Sequence, residues 1–269
     1  MEVDAWQLTG FLVERYQFAP GPVPLLPAHA HEAIQLCLNL GSGGSYHYRG
    51  ARQQFAAGSL TIINSGESHS PGQQGEFRVP TAFQMLYIQP QVLHTLAQEL
   101  AGRPVDEPYF PTLLLGPHPA AKQALVSLAH GLRAGASQLT IETQFLRVQT
   151  ALLNHHARHP WTPRPVPANH PAVARAREYL HAHRCADVSL AELAEAACLS
   201  EYHLCRLFAQ RYGVPPNQYH IQLRLDEAKR LLLQGLPVGR VAQAVGFFDG
   251  SHLRRHFERI VGLPPTGYS

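Results

Sequence analysis

Two arginines, Arg206 and Arg255, stand 49 residues apart at matching positions of an internal repeat. A guanidinium can donate two hydrogen bonds to O6 and N7 of guanine, which discriminates that base by about 1–3 kcal/mol. The repeat covers residues 200–219 and 249–268, and eight of its 20 aligned positions are identical. They are His203/His252, Leu204/Leu253, Arg206/Arg255, Phe208/Phe257, Gly213/Gly262, Pro215/Pro264, Pro216/Pro265 and Tyr219/Tyr268. Each copy has the pattern of a helix, a tight turn and a second helix, which predicts a protein that binds two successive DNA grooves.

Capping residues indicate where the helices of this region begin and end. Residues 189–192 (Ser-Leu-Ala-Glu) form a capping box that opens one helix. Ser200 and Asp249 are each placed to cap a recognition helix, and Gly213 and Gly262 follow the ends of those two helices.

Two more helices are expected near the repeat, at residues 172–183 and 217–234, the latter closed by Gly235. At about 1.5 Å per residue, the second of these spans roughly 27 Å. One DNA turn is about 34 Å, so this connector is of the right order to place two recognition helices in adjacent major grooves.

Composition fits a globular protein of two domains. The chain has 269 residues, of which 45% are hydrophobic and 15% charged, enough for two separate cores. No apolar run reaches the roughly 20 residues of a membrane helix, and the N-terminus lacks the basic start of a signal peptide. None of the four cysteines forms a Cys-x-x-Cys pair, so neither a disulfide framework nor structural zinc is expected. These features predict a cytoplasmic protein that does not interact with membranes.

The excess positive charge lies with the repeat. Residues 1–169 contain 10 basic and 10 acidic side chains, whereas residues 170–269 contain 12 and 9. Prolines at 160, 163, 165, 167 and 171 predict a stiff linker over residues 159–171 between the two parts.

The C-terminal 100 residues resemble the DNA-binding domain of the AraC/XylS family of bacterial transcription regulators. The resemblance rests on R-L-x-x-A-x-x-L-L at residues 224–232 and on V-A-x-x-V-G-F-x-D-x-S-x-L-x-R-x-F-x-x-x-x-G-x-P-P-x-x-Y at residues 241–268. Two positions depart from the family pattern: Ser269 replaces an arginine and longer tail, and Leu253 stands where an aromatic is common. The resemblance implies a domain with two helix-turn-helix motifs over residues 172–269.

The family resemblance also implies which side chains meet DNA. The positions on the exposed N-terminal faces of the recognition helices, with Arg240 as a phosphate contact, are Tyr202, Cys205, Arg206, Arg240, Gly250, Ser251, Arg254 and Arg255. Arg206 and Arg255 are the strongest candidates for base contacts, while Cys205 and Gly250 offer weak or no hydrogen bonding. His203 and His252 are expected to pack or to stabilise helix ends rather than to contact bases.

The N-terminal part has the pattern of an antiparallel β-barrel or sandwich followed by a helical hairpin. Residues 1 to about 100 contain short strand-like runs, at 33–40, 44–50, 59–64 and 83–89, separated by turn residues. Residues 118–158 change to helical periodicity, with a turn at 135–137. The apolar faces of the two helices are Leu125, Leu128, Ala129 and Leu132, and Ile141, Phe145, Val148 and Leu152. They either pack on the barrel or pair with a second subunit.

A group of histidines in this part resembles the two motifs of the cupin barrel. The first motif contains His29, His31 and Gln35, which share strand parity, and the second runs from Gly58 to His69. In metal-bearing cupins such positions bind one cation, but Gln35 replaces the anionic glutamate ligand. The histidines are therefore interpreted as the lining of an effector pocket, with a metal site and plain surface histidines as alternatives. Tyr46 and Tyr48 are either pocket aromatics or simple sheet residues.

These observations predict an α+β multidomain protein: a cupin-like effector-binding and dimerisation domain at 1–158, a linker at 159–171 and a DNA-binding domain at 172–269. The expected partners are double-stranded promoter DNA, a small-molecule effector, a second copy of the chain and RNA polymerase, and no cofactor, metal or catalytic residue is expected. Two other functions stay open, a metal-dependent cupin enzyme fused to a helical module and a constitutive DNA-binding protein that only dimerises.

Overall fold

The protein is described by a computed structural model that covers residues 1–23, 27–41, 43–72, 76–115, 119–159 and 171–268. It contains two compact units. One holds residues 1–129 and the described residues 147–159, and the other holds residues 130–146 and the helices after residue 170. The expected proline-rich linker at 159–171 lies, apart from its end residues, outside the described part of the chain. No described helix is long and apolar enough to cross a membrane.

Antiparallel strands build the first unit. Ten strands are described: β1 (Glu2–Leu8), β2 (Phe11–Phe18), β3 (Gly21–Pro22), β4 (Ile34–Asn39), β5 (Gly44–Tyr48), β6 (Ala51–Phe55), β7 (Leu60–Ile63), β8 (His69–Pro71), β9 (Glu76–Phe77) and β10 (Thr81–Ile88). They pair in a five-stranded sheet of order β1-β2-β10-β4-β7, a three-stranded sheet β6-β5-β8 and a two-stranded sheet β3-β9. The predicted antiparallel β-domain is confirmed, with its described strands distributed over these sheets.

The four strand-like runs of the sequence correspond to β4, β5, β7 and β10. Strand β4 is buried along its whole length and lies between β10 and β7 in the five-stranded sheet. The expectation of strands up to residue 100 was wrong for its last dozen residues, which form helix α1 (Pro90–Ala101). Its apolar side chains recur every three or four residues and are buried, and Gly102 ends it with φ 64°.

The helical hairpin is present as α2 (Ala120–Arg133) and α3 (Gln138–His155). Its predicted apolar faces are buried in the single chain, except Leu132, which is half-buried. The four residues on α3 are at most 6% exposed. These faces therefore pack within the chain, and they leave no free seam for a second subunit.

Helices build the second unit after residue 170. They are α4 (Pro171–Ala182), α5 (Leu190–Ala197), α6 (Glu201–Tyr212), α7 (Pro216–Leu233), α8 (Val238–Ala244) and α9 (Gly250–Val261), followed by a 3-10 turn at Pro265–Gly267. Pairs α5–α6 and α8–α9 are the two predicted helix-turn-helix motifs, and α7 joins them. One core cluster packs α7, α8 and α9 through Ile221, Leu225, Ala228, Leu232, Val241, Ala242, Val245, Phe247, Leu253 and Phe257.

The predicted caps are confirmed. The Ser189 hydroxyl accepts a hydrogen bond from the Glu192 amide, and the Glu192 carboxylate accepts one from the Ser189 amide. Ser200 and Asp249 accept hydrogen bonds from amides in the first turns of α6 and α9. Each cap satisfies an orphan amide and fixes where its helix begins.

The turns inside the two motifs share a left-handed residue. Cys198 has φ 52° in the first motif, and Gly246 has φ 80° at the equivalent position of the second. A Cβ atom on Gly246 would lie 2.5 Å from the carbonyl oxygen of Cys185. Glycine is therefore required at 246 for space as well as for conformation.

A buried arginine fixes α7 to both neighbouring loops. Arg224 is 3% exposed, and its guanidinium donates hydrogen bonds of 2.7 Å to the carbonyl oxygens of Gly246 and Ala186. Asp187 lies 3.9 Å from the same guanidinium. Arg224 thus joins the turn of the second motif to the connector helix and to the loop before α5.

Candidate functional site

The β-domain brings three histidine rings together. Backbone hydrogen bonds of 3.0 and 2.9 Å pair His29 with His69, and their ring centroids are 4.4 Å apart. The His31 ring lies 5.0 Å from that of His69, and its Nε2 atom is hydrogen-bonded over 2.9 Å to the accepting Oε1 atom of Gln35. The predicted convergence of these four residues is therefore present in the fold.

The histidine cluster does not have the arrangement of a cation site. No group of three or more His, Cys, Asp or Glu side chains suited to a metal ion occurs among the described residues. The amide of Gln35 brings no negative charge.

His69 is held as a neutral ring with one free acceptor. Its Nδ1 atom lies 3.1 Å from the carbonyl oxygen of Glu67, so Nδ1 donates and Nε2 carries the lone pair when the ring is neutral. Burial lowers the pKa of His69 below its ordinary value of 6.5. The ring is 2% exposed, and its Nε2 atom is buried without a hydrogen-bond partner.

A cavity of about 410 Å³ lies beside this cluster, within the usual range of ligand sites, about 300–1,000 Å³. Its described lining consists of Met1, Tyr16, Phe18, Val23, His29, Gln35, Cys37, Ser45, Tyr46, Phe55, His69, Pro71, Gly72, Phe77, Phe83, Met85 and Tyr87. Neither acidic residues nor lysine or arginine occur in this described lining. The described side chains of the lining are thus largely aromatic, and none of them is an acid, a lysine or an arginine.

Four of the six predicted effector residues line the cavity: His29, Gln35, Tyr46 and His69. His31 is not among the described lining residues and lies against the cluster from outside. Tyr48 is also absent from that lining, because its hydroxyl is turned to the carboxylate of Glu67, to which it donates a hydrogen bond. The position of Tyr48 fits the alternative of a sheet residue.

The neutral tyrosines of the cavity are bound to their neighbours. Burial raises the pKa of Tyr46 well above 10, and its hydroxyl is hydrogen-bonded to Cys37 and Gln35. The Tyr16 hydroxyl donates to Glu14 over 2.7 Å, and burial raises the pKa of Tyr16 to about 12. Neither phenol ionises at neutral pH.

Most of the aromatic lining was missed in the sequence. Phe83, Met85 and Tyr87 alternate along β10, and Tyr16 and Phe18 alternate along β2. Alternate residues of a strand share a face, so this spacing was a usable signal. Strand β2 was not recognised, which left its aromatics unassigned.

The second recognition helix presents most of its predicted DNA-contacting residues to solvent. Ser251, Arg254 and Arg255 are exposed and Gly250 is half-buried. Arg240, on α8, is also exposed.

The first recognition helix is less open. Tyr202 is 7% exposed, so it does not lie on the exposed face expected for it, and Cys205 and Arg206 are half-buried. His203 is hydrogen-bonded to Ser200, which agrees with a role at the helix end.

Residues near the start of α3 contact the first helix-turn-helix motif. Thr143 is hydrogen-bonded to the Cys205 thiol, and burial raises the pKa of Cys205 to about 12. The Glu142 carboxylate accepts a 2.5 Å hydrogen bond from the Leu190 amide at the start of α5. Residues 130–146 therefore pack with the C-terminal helices and not only with the hairpin to which they belong in sequence.

Together, the fold and its two sites define a protein with a ligand-binding β-domain and a helix-turn-helix domain. The family model for an "AraC-like ligand binding domain" matches residues 11–148, and one for a "Helix-turn-helix domain" matches residues 193–269. The chain belongs to the AraC family of transcriptional regulators.

The chain is also similar to individual proteins. The HTH-type transcriptional regulator YbfI of Bacillus subtilis (strain 168) is 28% identical over 244 residues, which cover 90% of this chain and 86% of that protein. The probable transcriptional regulator LumQ of Photobacterium leiognathi is 36% identical over 91 residues, 34% of this chain and 37% of that protein. A solved DNA-binding domain of AdpA, in complex with a target DNA, is 31% identical, with coverage of 36% of this chain and 88% of that one and a TM-score of 0.35.

Proposed function

We propose that this regulator is ligand-responsive and binds specific DNA sequences by placing α6 and α9 in two adjacent major grooves. The observation that supports this most directly is the pair of capped motifs joined by α7. That helix has 18 residues, or roughly 27 Å at about 1.5 Å per residue, against about 34 Å for one DNA turn.

The two recognition helices have unequal roles. Arg254, Arg255 and Ser251 are exposed on α9 and supply the larger share of base contacts, with Arg255 hydrogen-bonding a guanine. On α6, Arg206 is the main base contact, because Tyr202 is buried and Cys205 is covered by Thr143. Arg240 contacts a phosphate, which positions the domain without specifying sequence.

The cavity of the β-domain binds the effector. A small molecule that fills it changes DNA affinity by no more than the difference between its affinities for the two conformations of the protein. We further propose that the chain works as a homodimer that contacts RNA polymerase, and that it has no catalytic activity of its own.

Binding selection with the full chain and a random duplex pool tests the groove assignment. Footprinting of the selected sites should show two protected segments separated by about one helical turn, 10–10.5 base pairs. A single short protected segment would show that only one motif contacts DNA.

Arginine substitutions then test the assignment of residues. Arg255→Ala should cost about 1–3 kcal/mol and relax the preference at one or two base pairs. Arg259→Ala, on the same helix but one turn further from its start, should leave the sequence preference unchanged. An unaltered selected sequence with Arg255→Ala would refute the role of Arg255.

A further inference from the structure

We infer that the cavity of the β-domain takes an uncharged aromatic molecule that carries a hydroxyl or N–H donor. This inference rests on the proposed ligand-responsive function, because it names the chemical class of the effector. Three properties of the lining support it: clustered rings, a buried acceptor without a partner, and the absence of charge.

One end of the cavity is a group of phenylalanines. The Phe18 ring lies 5.1 Å from that of Phe77 and 6.0 Å from that of Phe83, both edge to face, and Tyr16 stacks on Phe18 at 6.5 Å. Aromatic pairs favour these distances and angles. A planar aromatic ligand can add one more ring to this arrangement.

The other end offers a hydrogen-bond acceptor. His69 is 2% exposed and lines the cavity, and its Nε2 atom has no partner. Because Nδ1 is already bonded to the carbonyl of Glu67, Nε2 of the neutral ring can only accept. A buried acceptor without a partner is costly, and a ligand hydroxyl or N–H group would satisfy it.

The described lining residues offer no ion pair to a charged ligand. Among the described lining residues there is no lysine or arginine to pair with a carboxylate or phosphate, and no acid to pair with an ammonium group. The carboxylate of Glu14, which is not in that lining, accepts from the Tyr16 hydroxyl. Burying an unpaired charge costs far more than burying a ring gains.

Polar groups of the lining are also too fully bonded for a polyol. Gln35 is bonded to His31 and Tyr46, Tyr46 to Cys37, and the Ser45 hydroxyl accepts from Arg52. A sugar needs many free donors and acceptors in its site. With these groups already bonded, the His69 Nε2 acceptor beside several rings suits a donor on an aromatic frame.

Calorimetric titration of the full chain with matched probes tests the class. The probes are phenol and 2-naphthol as uncharged aromatics, benzoate and 2-naphthoate as anions, benzyltrimethylammonium as a cation, and cyclohexanol as a saturated alcohol. We expect saturable binding of phenol or 2-naphthol that is at least about tenfold tighter than that of every charged or saturated probe.

Variants locate the two recognition elements. Phe83→Leu should weaken 2-naphthol binding by about tenfold, whereas Phe110→Leu, which changes a buried ring not found in the described lining, should not. His69→Asn keeps a donor for the Glu67 carbonyl but removes the acceptor at the Nε2 position. It should weaken the binding of 2-naphthol by a larger factor than the binding of 2-methoxynaphthalene, which has no donor.

Each outcome bears on one of the two proposals. Tighter binding of a charged or saturated probe, or no binding of either uncharged aromatic, overturns the ligand class. An uncharged aromatic that binds without changing DNA affinity supports the ligand class and contradicts the ligand-responsive function. A ligand of another class that changes DNA affinity contradicts the proposed ligand class and supports the ligand-responsive function.

Discussion

Replacing Arg224 by methionine should destabilise the helix-turn-helix unit strongly and displace its second motif. The guanidinium is 3% exposed and donates to the carbonyls of Gly246 and Ala186 at 2.7 Å each. Each charge-assisted hydrogen bond contributes roughly 1.5–3 kcal/mol, and methionine has similar length but leaves both carbonyls without a partner. The expected loss of stability is about 3–5 kcal/mol.

Arg224→Lys is the matched control. An ammonium group on an unbranched chain reaches one of the two carbonyls, so lysine should recover about half of the loss. Urea unfolding of the full chain, followed by the helical circular dichroism signal, measures both variants. DNA binding under folding conditions should fall in the same order, since Gly246 precedes the second recognition helix. A loss below about 1 kcal/mol for Arg224→Met, or full recovery by lysine, would refute the reasoning.

Three smaller perturbations test other parts of the helical unit. Cys198→Gly should raise stability by up to about 1 kcal/mol, because φ is 52° at that position. Gly246→Ala should lower stability by a larger amount, since its Cβ atom would lie 2.5 Å from a carbonyl oxygen. Thermal unfolding compares the two variants. Burial lowers the pKa of His220 from 6.5 to about 4, so the unfolded chain takes up a proton first and stability should fall by up to about 3 kcal/mol as pH drops from 6.5 to 4. His220→Gln should flatten that range of the stability profile, and an unchanged profile would assign the effect elsewhere. Glu142→Ala should cost about 1–2 kcal/mol by leaving the Leu190 amide without its acceptor, while Glu142→Gln, which keeps an oxygen there, should cost less.

Local sequence signals were sufficient for the helical unit. Caps such as Ser189 and Asp249 act over three residues, and left-handed glycines such as Gly213 end helices by their own backbone preference. Because these signals are short-range, helix boundaries followed from the residues alone. The internal repeat added a second copy of each signal.

Contacts between distant segments could not be predicted in this way. Helix α1 is a different case: the turn-rich pattern predicts strands up to about residue 100, although Leu93, Leu96 and Leu100 have helical spacing. The burial of Tyr202 and the contact of Cys205 with Thr143 depend on how α3 packs. Neither has a signal in the residues next to it.

In the pocket, too, residue types and spacing were predictable, whereas contacts between distant strands were not. Histidines 29, 31 and 69 were recognised by type and spacing, whereas Phe18 and Phe83 had to be brought together by the pairing of β2 with β10. Pairing partners in a sheet are set by the whole fold. The face that each aromatic shares with its strand neighbours was therefore predictable, whereas the meeting of aromatics from different strands was not.

The hydrogen bond from Leu190 to Glu142 has a consequence for any attempt to transplant the DNA-binding part. A fragment that begins at Pro171 carries every helix-turn-helix residue but leaves behind the carboxylate at the start of α5 and the threonine beside Cys205. Chimeras joined at residues 160–170 would thus leave the Leu190 amide without its acceptor and expose a strip of α6, and their solubility should fall. Grafts that also carry residues 130–146 should keep their solubility. The segment to be exchanged is therefore discontinuous along the chain.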